Sequence, residues 1–470
     1  MLPWGPMQVV RGEILKKSVL NACLTGLCMA LTLVLTSSLS PAHAENGLTL
    51  DKYVVIMRHG VRPQTSMKEL EPLSAKPWLM WNTPDGQLTP HGAEAAAQLA
   101  RWEVAMLQKR GLFTQAGCPA PGDVFGWANG AVQRTIDTGN VMLKTMFPDC
   151  GLKVGFNVID ETHPVDMLYA PSDSALGAID PKTAKAAILA AAGGDLEKPR
   201  ARVASLMTEL DGILDCCKPS VCEKETSATA CSLRDRPWAI KEKKTKGTKP
   251  ADVGVVGPLK DAGTVVQVFL LQYANGFPLD QVAFGKAPTA ADIIRLSELR
   301  QIKYDLSNRV PYLAKRDGSN ILNQLLLAVD ADPAKGAVKD GPPNAKYVLF
   351  AGSDTQQVEI AAILGIHWHI PPYLDDETPP TGTLAFERLH DSSGKAYVRM
   401  GFIVPTLDQI RNASDLNAQT PPLQALITMP GCEQQALDGA CPLDTFMALA
   451  KPKLDSTAVA SQIYPVQGNK

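Results

Sequence analysis

The sequence YVVIMRHGVRPQT, residues 53 to 65, joins an uninterrupted apolar run to two arginines and a histidine. The run KYVVIM, residues 52 to 57, is rich in β-branched and other apolar side chains, a pattern typical of a central parallel strand that is covered on both faces. Arg58, His59 and Arg62 follow at once. A buried cation without a partner costs on the order of several kcal/mol, so these arginines must meet an anion, either a protein carboxylate or a ligand.

Strand-like and helical segments alternate at the two ends of the chain. Residues 123–130 (DVFGWANG) and 346–352 (KYVLFAG) resemble strands, and helical patterns follow them in residues 132–147 and 353–366. This alternation predicts an α/β fold with a doubly wound, mainly parallel sheet and helices on both faces. In such sheets a site forms at the carboxyl ends of the strands. The residues at or just after those ends are Arg58, His59, Arg134, Ser353 and Asp354.

Two other helices have clear start signals. In residues 87–111, Thr89 can cap a helix and Pro90 suits its first turn. Residues 288–306 carry apolar side chains at helical spacing after Thr289, which begins a capping pattern. Both segments are therefore predicted to be helical.

The pattern divides the mature chain into three segments. Residues 45–174 and 341–470 are predicted to form the two parts of an α/β domain, and residues 175–340 an inserted, mostly α-helical domain. Within this insert, residues 232–260 contain the lysine-rich run KEKKTKGTKP. Such a run is typical of a solvated loop, and the alternative is a funnel for anionic substrates.

Residues 1–44 are predicted to be a signal peptide. Basic residues precede an apolar stretch that ends in SPAHA, a small-x-small cleavage pattern at Ala42 and Ala44. The alternative is an uncleaved anchor helix, because the stretch approaches the ~20 residues that span a bilayer. Serine, threonine and proline in its second half favour the cleaved signal. We therefore expect a periplasmic or secreted protein with no stable membrane association after cleavage.

The composition is that of a globular enzyme. The chain has 470 residues, of which 45% are hydrophobic and 20% charged, and its formal net charge is −2. This length is sufficient for two or three domains. A net charge near zero gives no general attraction to nucleic acid or to an anionic membrane, so we expect no nucleic-acid partner. The sequence makes no prediction of the oligomeric state.

Eight cysteines follow the predicted signal peptide. An even number in an exported chain predicts disulfides, and no arrangement of cysteine and histidine indicates zinc. Eight cysteines allow about 105 pairings. Close spacing favours Cys432 with Cys441, and Cys118 with Cys150. Three pairings remain open among Cys216, Cys217, Cys222 and Cys231.

The residues after the first strand indicate phosphate chemistry. A planar guanidinium makes bidentate contacts with phosphate, and converging arginines are typical of a phosphoryl site. Nearby positive charge lowers the pKa of an imidazole, so His59 is expected to be neutral and nucleophilic. It would form a phosphohistidine that water then hydrolyses, without a metal or a cofactor. The alternative is a core histidine beside two surface arginines.

Arg58-His59-Gly60-Val61-Arg62 resembles the RHGxRxP signature of the histidine acid phosphatases. This family is branch 2 of the histidine phosphatase superfamily and contains periplasmic phytases and glucose-1-phosphatases. Further landmarks stand in the order typical of bacterial phytases, and the resemblance covers most of the mature chain. These landmarks are KPWLMWNTPDGQLTPHG, QRTIDTG, AGSDT, ETPPTGTLAFERL and CEQQALDGAC. The resemblance also implies a disulfide between Cys222 and Cys231, which leaves Cys216 and Cys217 without assigned partners.

The resemblance implies a role for each matching residue. His59 is the expected nucleophile, and Asp354 is the expected proton donor to the leaving oxygen. Such a donor is worth roughly 10²–10⁴ in rate. Arg58, Arg62 and Arg134 are expected to bind the phosphoryl group that is transferred.

Ser353 departs from the family pattern, which has a histidine at this position. A serine can still donate one hydrogen bond to a phosphate oxygen, so Ser353 is kept as a phosphate-binding residue. It has a shorter reach than histidine and cannot carry a positive charge. We therefore expect lower activity or a shifted pH optimum.

Other departures concern the part of the substrate beyond its reacting phosphate. Pro63 stands one place earlier than the proline of the signature. Ser66 stands where phytases of this type carry a substrate-contacting lysine after the residue that matches Thr65. Gln267 replaces an acidic residue in the pocket wall of the helical domain. The predicted substrate pocket therefore includes Thr65, Ser66 and Gln267, and these changes leave the substrate open.

The sequence thus predicts an exported acid phosphatase, possibly of the 4-phytase type, that acts on small-molecule phosphomonoesters. Phytate and sugar phosphates are the candidate substrates. The alternative is a catalytically weakened, phosphatase-like protein that binds phosphorylated ligands, which only Ser353 favours. A phosphoglycerate mutase is a weaker alternative, because export and disulfides do not suit a glycolytic enzyme.

Overall fold

The strand predicted from KYVVIM lies in the middle of the main sheet. The computed structural model describes residues 47–114, 117–216, 232–243, 249–336 and 338–464. Within these residues the strands are β1 (Thr49–Arg58), β2 (Val124–Ala128), β3 (Gly155–Phe156), β4 (Ala239–Lys243), β5 (Asp252–Val256), β6 (Tyr347–Gly352), β7 (Thr383–His390), β8 (Ala396–Val404), β9 (Leu423–Ile427) and β10 (Cys441–Pro442).

The described residues also contain the following α-helices. They are α1 (Met67–Leu70), α2 (Pro90–Lys109), α3 (Gln133–Met146), α4 (Pro181–Ala191), α5 (Glu197–Arg202), α6 (Ala204–Leu214), α7 (Pro258–Ala274), α8 (Ala290–Leu296), α9 (Glu298–Asp305), α10 (Pro311–Asp330), α11 (Asp354–Leu364), α12 (Leu407–Arg411) and α13 (Leu443–Ala450). Short 3-10 helices cover Glu71–Leu73, Pro171–Asp173, Val282–Gly285, Lys451–Lys453 and Ser456–Ala458.

The main sheet is parallel on one side of β1 and antiparallel on the other. The strand order is β10-β8-β7-β1-β6-β2-β3, and β9 also pairs with β8. Strands β1, β6, β2 and β3 are parallel, whereas β7 runs against β1 and β8 runs against β7. A short turn suffices to join antiparallel neighbours, and β7 and β8 are joined in this way. The predicted α/β fold is confirmed, and the structure adds the antiparallel half.

Both faces of β1 are buried, as its continuous apolar sequence predicts. Val54 and Ile56 pack in one hydrophobic cluster, which includes side chains of α10 and α11. Tyr53, Val55 and Met57 pack in a second cluster with side chains of α2 and α3. Successive side chains of a strand point to opposite faces, so the two clusters lie on the two sides of the sheet.

The predicted helix starts are present. Thr89 caps α2 by accepting a hydrogen bond from the amide of Gly92 at 2.8 Å, and Pro90 is the first residue of that helix. Thr289 caps α8 in a capping box with Asp292. The periodic pattern of residues 288–306 does not form one continuous helix, because α8 ends at Leu296 and α9 begins at Glu298.

Most of the elements between residues 175 and 340 are helical, from α4 to α10. The hairpin of β4 and β5 lies among them, with Lys243 paired to Asp252 at 2.7 Å. The sequence predicted a loop here, and strand pairing covers part of it. The limits of the three predicted segments stay predictions.

Two of the predicted disulfides are present. Cys118 is bonded to Cys150 and Cys432 to Cys441. Cys216 also takes part in a disulfide. The Cys222–Cys231 pair and the predicted signal peptide, residues 1–44, lie outside the described residues. In the part of the chain that the structure describes, no helix has the length and apolar character that a membrane span requires.

Candidate active site

The candidate site lies where β1 ends, at the carboxyl ends of the parallel strands. The amide of His59 donates to the carbonyl of Gly352, the last residue of β6, at 3.1 Å. The amide of Arg58 donates to the carbonyl of Gly382 at 2.9 Å. Backbone bonds to the last residue of β6 and to the residue before β7 therefore fix the position at which the chain leaves the sheet. This is the location that the strand pattern predicted.

The imidazole of His59 is buried and has a defined tautomer. Its side chain is 1% exposed, and Nδ1 lies 2.8 Å from the carbonyl oxygen of Gly60. A carbonyl oxygen only accepts hydrogen bonds, so Nδ1 carries the proton and Nε2 keeps its lone pair. Burial, followed by the charges of Arg134, Arg62 and Arg58, holds the pKa of His59 well below its usual value. The ring is therefore neutral, with a free basic nitrogen.

Gly60 allows the chain to pass close to the start of α2. A side-chain carbon at Gly60 would stand 2.8 Å from the carbonyl oxygen of Gly92, and one at Gly92 would stand 2.4 Å from the carbonyl oxygen of Val61. The amide of Gly60 also donates to the hydroxyl of Thr138 in α3 at 3.1 Å. The glycine after the histidine is thus explained by a close backbone approach that leaves no room for a side chain.

Three arginines stand around the histidine, of which Arg58 is buried and Arg62 and Arg134 are half-buried. The Nε atoms of Arg58, Arg62 and Arg134 are buried and have no hydrogen-bond partner among the described residues. Burial is the largest influence on each and lowers the pKa of each to about 10, so all three remain cations at neutral and acidic pH. Guanidinium groups with free donors in one enclosed site suit an anion that accepts several hydrogen bonds.

The protein fixes each arginine through backbone oxygens. Arg58 donates to the carbonyl of Thr378, Arg62 to that of Pro63 at 2.7 Å, and Arg134 to that of Gly86 at 3.1 Å. Carbonyl oxygens orient a guanidinium without cancelling its full charge. The positive charge therefore stays available to a bound anion.

The Asp354 carboxylate meets cations from two parts of the chain. Its Oδ1 lies 3.6 Å from Nε of Arg58, and its Oδ2 accepts hydrogen bonds from Nη2 of Arg300 and from the hydroxyl of Tyr304. Burial opposes the carboxylate charge, but the Arg58 and Arg300 guanidiniums and the Tyr304 hydroxyl outweigh it and hold the pKa of Asp354 well below its usual value. Without a bound anion, Asp354 is therefore ionised.

Ser353 caps its own helix. Its hydroxyl donates to Oε1 of Gln356 at 2.8 Å and accepts from the amide of Thr355 at 3.3 Å, and the Ser353 amide also bonds to Gln356 in a capping box. A serine hydroxyl has one proton to donate. A contact from Ser353 to a phosphate would therefore require this hydroxyl to leave Gln356.

Two of the three predicted pocket residues lie beside the arginines. Gln267 accepts a hydrogen bond from Nη2 of Arg58 at 3.1 Å through its Oε1. Thr65 lies beside Gly86, whose carbonyl holds Arg134. Ser66 caps the short helix α1 by accepting from the amide of Glu69 at 3.3 Å. The structure therefore brings Gln267 and Thr65 to the arginines and gives Ser66 a capping role.

The sequence did not predict Asp85, Arg300, Tyr304 and Thr378. Asp85 holds the loop after Arg62, because its carboxylate accepts from the side chain of Gln64 at 2.6 Å and from the amide of Met67 at 2.7 Å. Arg300 and Tyr304 stand one turn apart in α9, a segment whose sequence indicated only a helix. Within the residues described, no group of histidine, cysteine, aspartate and glutamate side chains could hold a metal ion.

Comparison with known proteins agrees with this geometry. Residues 49–402 match the family described as the histidine phosphatase superfamily (branch 2). Phytase AppA of Escherichia coli (strain K12) is 28% identical over 422 residues, which are 89% of this chain and 95% of that protein. A glucose-1-phosphatase of Salmonella typhimurium is 28% identical over 446 residues, 92% of this chain and 98% of that protein.

The fold is also similar to solved structures of bacterial phytases. The apo form of Hafnia alvei phytase is 28% identical, covers 89% of this chain and 100% of its own, and superposes with a TM-score of 0.78. Klebsiella sp. ASR1 phytase gives a TM-score of 0.77 at 28% identity, over 89% of this chain and 100% of its own. The resemblance stated from the sequence is confirmed, and the chain belongs to branch 2 of the histidine phosphatase superfamily.

Proposed function

We propose that the chain is an exported acid phosphatase that hydrolyses phosphomonoesters, with His59 as the nucleophile and Asp354 as the proton donor. The observation that carries the proposal is a buried, neutral histidine with a free Nε2 among three arginines whose Nε atoms are unsatisfied. The class of enzyme, a phosphoric monoester hydrolase, agrees with the family and with its phytase and glucose-1-phosphatase relatives.

The first chemical step forms a bond between Nε2 of His59 and the phosphorus atom. The phosphoryl oxygens are held by Arg58, Arg62 and Arg134, which stabilise the charge that they carry in the transition state. The bond from phosphorus to the ester oxygen breaks, and the leaving alcohol takes a proton from Asp354. The proton stays on Nδ1 and donates to the Gly60 carbonyl oxygen, which stabilises the ring as it becomes the phosphohistidine.

Asp354 must gain a proton before it can donate one. The charges of Arg58 and Arg300 keep it ionised in the free protein. A bound phosphate adds negative charge beside Arg58 and weakens the pull of that cation on the carboxylate, which raises the pKa of Asp354. The carboxyl group is then protonated at acidic pH, which agrees with an acid phosphatase.

The second chemical step releases the phosphate. After the alcohol leaves, the Asp354 carboxylate takes a proton from the water that attacks phosphorus, and the bond between phosphorus and Nε2 of His59 breaks.

The substrate is proposed from the relatives and from the pocket. Phytate and sugar phosphates are the candidates, because the relatives are named as phytases and glucose-1-phosphatases. Thr65, Ser66 and Gln267 are proposed to contact the substrate beyond its reacting phosphate. Ser353 is proposed to bind phosphate only in a state in which its hydroxyl leaves Gln356.

A His59→Ala variant tests the proposal, with p-nitrophenyl phosphate as the substrate at acidic pH. The wild type should release phosphate, and the variant should lose at least about 10³-fold in kcat/KM. The matched control is His91→Ala, which removes a half-buried histidine that contacts the carbonyl of Ile410 at 2.9 Å and lies outside the proposed catalytic set. Equal activity of His59→Ala and the wild type would refute the assignment of the nucleophile.

A binding protein without turnover is the second candidate. It is supported by Ser353, which cannot supply the cation of a histidine and whose hydroxyl is engaged by Gln356. Calorimetric binding of inorganic phosphate by a wild-type protein that releases no phosphate from any ester would favour this candidate.

Export is supported by the predicted signal peptide and by the disulfides, and fractionation of expressing cells would test it.

A further inference from the structure

Arg300 and Tyr304 contact the same oxygen of Asp354. Nη2 of Arg300 and the hydroxyl of Tyr304 both donate to Oδ2, and Nη2 of Arg300 also lies 3.1 Å from the Tyr304 hydroxyl oxygen. The two residues stand four positions apart in α9 and therefore share one face of that helix. Both are buried, with exposed fractions of 3% and 6%. The contact joins α9 to the start of α11, across 54 positions of sequence.

The two oxygens of Asp354 are therefore unequal. Oδ2 accepts two hydrogen bonds, one of them from a cation, whereas Oδ1 lies 3.6 Å from Nε of Arg58 and accepts no hydrogen bond from the described residues. A proton on Oδ2 would have to displace a donor, and a proton on Oδ1 would not. Oδ1 is also the oxygen beside Arg58, one of the phosphate-site arginines. The geometry thus selects the oxygen that carries the proton.

We propose that Arg300 and Tyr304 are positioning residues that fix Oδ2 of Asp354 and leave Oδ1 to deliver the proton to the leaving oxygen. The inference rests on the proposed function, because it assigns the orientation of the proton donor in that reaction. Thr378 supports the arrangement from the other side. Its carbonyl accepts from Arg58, and its hydroxyl lies 3.5 Å from Nη2 of Arg300.

Arg300 also sets the charge around the donor. Asp354 interacts electrostatically with groups from every element that packs around it. These are Arg58 at the end of β1, His59 and Arg62 in the loop that follows it, Arg134 of α3, Arg300, Lys303 and Tyr304 of α9, and Glu359 of its own helix. Glu377 acts on Arg300 from the loop before β7. Removal of Arg300 takes away one of the two cations that most favour the carboxylate, so the pKa of Asp354 should rise.

The test compares two esters that differ in their need for a proton. The leaving group of p-nitrophenyl phosphate departs as a stable phenolate, whereas that of glycerol 2-phosphate must be protonated. The variants are Arg300→Gln, Arg300→Lys and Tyr304→Phe. The control is Arg316→Gln, because Arg316 is a half-buried arginine of α10 that pairs with Asp455 at 2.9 Å and bonds to the carbonyl of Leu176, with no hydrogen bond or ion pair to Asp354 among the described residues.

For Arg300→Gln, kcat on glycerol 2-phosphate should fall about 30-fold and kcat on p-nitrophenyl phosphate less than about 3-fold. KM should stay within about 2-fold on both esters. The basic limb of the kcat profile reports the protonated donor in the complex and should move to higher pH by about 1. Arg300→Lys keeps the positive charge but loses the planar guanidinium. The basic limb of its kcat profile should therefore stay near the wild-type pH, and its kcat should lie between those of Arg300→Gln and the wild type. Tyr304→Phe should also lose more kcat on glycerol 2-phosphate than on p-nitrophenyl phosphate, but by a smaller factor than Arg300→Gln.

The outcomes separate the possible failures. Equal losses on both esters with an unmoved basic limb, as expected for Arg316→Gln, would show that Arg300 only stabilises the fold and would overturn the positioning role. In an Asp354→Asn background, Arg300→Gln should cause no further change in the ratio of the two rates, and an undiminished change would also overturn it. Failure of the wild type to release phosphate from either ester would instead reject the proposed function and the positioning role with it.

Discussion

Replacement of Glu103 by glutamine should change how the stability of the protein depends on pH. Glu103 lies in α2 with an exposed fraction of 0%, and its Oε1 accepts a hydrogen bond from the Tyr347 hydroxyl at 2.7 Å. Its Oε2 has no hydrogen-bond partner among the described residues. Burial raises the pKa of Glu103 from 4.5 to about 7. The folded protein therefore keeps this carboxyl group protonated over a range in which the unfolded chain ionises it.

The size of the effect follows from the two pKa values. A group with a higher pKa in the folded state contributes stability that is complete below its unfolded pKa and is lost as the pH rises through its folded pKa. For Glu103 the loss falls between pH 4.5 and about 7. At ~1.4 kcal/mol for each tenfold change in proton affinity, it amounts to roughly 3 kcal/mol. Glutamine keeps the shape and the oxygen that accepts from Tyr347, but it does not titrate.

Urea unfolding of the wild type and of Glu103→Gln would measure this contribution. From about pH 4 to about pH 8, the difference in free energy of unfolding between the two proteins should shift by roughly 3 kcal/mol in favour of the variant. The contributions of the other titrating groups cancel in this difference, because both proteins contain those groups. Glu94→Gln, on the exposed side of the same helix, is the matched control and should shift the difference by less than about 0.5 kcal/mol. A difference between wild type and Glu103→Gln that is constant with pH would refute the reasoning.

Three further changes test other parts of the molecule. Gly92→Ala should lower the free energy of unfolding by roughly 1–3 kcal/mol, because the new carbon would stand 2.4 Å from the carbonyl oxygen of Val61, and an unchanged melting temperature would contradict this. Serine in place of both Cys118 and Cys150, which are 32 positions apart, should cost about 4 kcal/mol in chemical unfolding, and a loss below about 1 kcal/mol would contradict the cross-link argument. Gln267→Glu should weaken inhibition by inorganic phosphate about tenfold, since a carboxylate would compete for the phosphate-site arginine that Gln267 now contacts, and unchanged inhibition would contradict that competition.

Local patterns sufficed for the parts of the site that lie on one element. The apolar run before Arg58 identified a buried central strand, and the abrupt change to charge located His59 at its end. The helix that begins at Asp354 was also predicted, and its capping pattern from Ser353 to Gln356 was readable in the sequence. The family resemblance instead predicts a phosphate contact for the Ser353 hydroxyl, whereas in the folded chain that hydroxyl bonds to Gln356 within the cap.

The remaining features depend on chain segments that meet only in the folded protein. Asp354 is held by Arg300 and Tyr304, which are 54 and 50 positions away in sequence, and the pKa of Glu103 is set beside a tyrosine 244 positions away. Side-chain periodicity is a property of one helix or strand, so the sequence by itself determined the elements and the family, and it located the histidine that is proposed as the nucleophile. Electrostatic coupling depends on distance and burial, which no local pattern encodes. Only the tertiary structure therefore decided which groups meet each oxygen of Asp354.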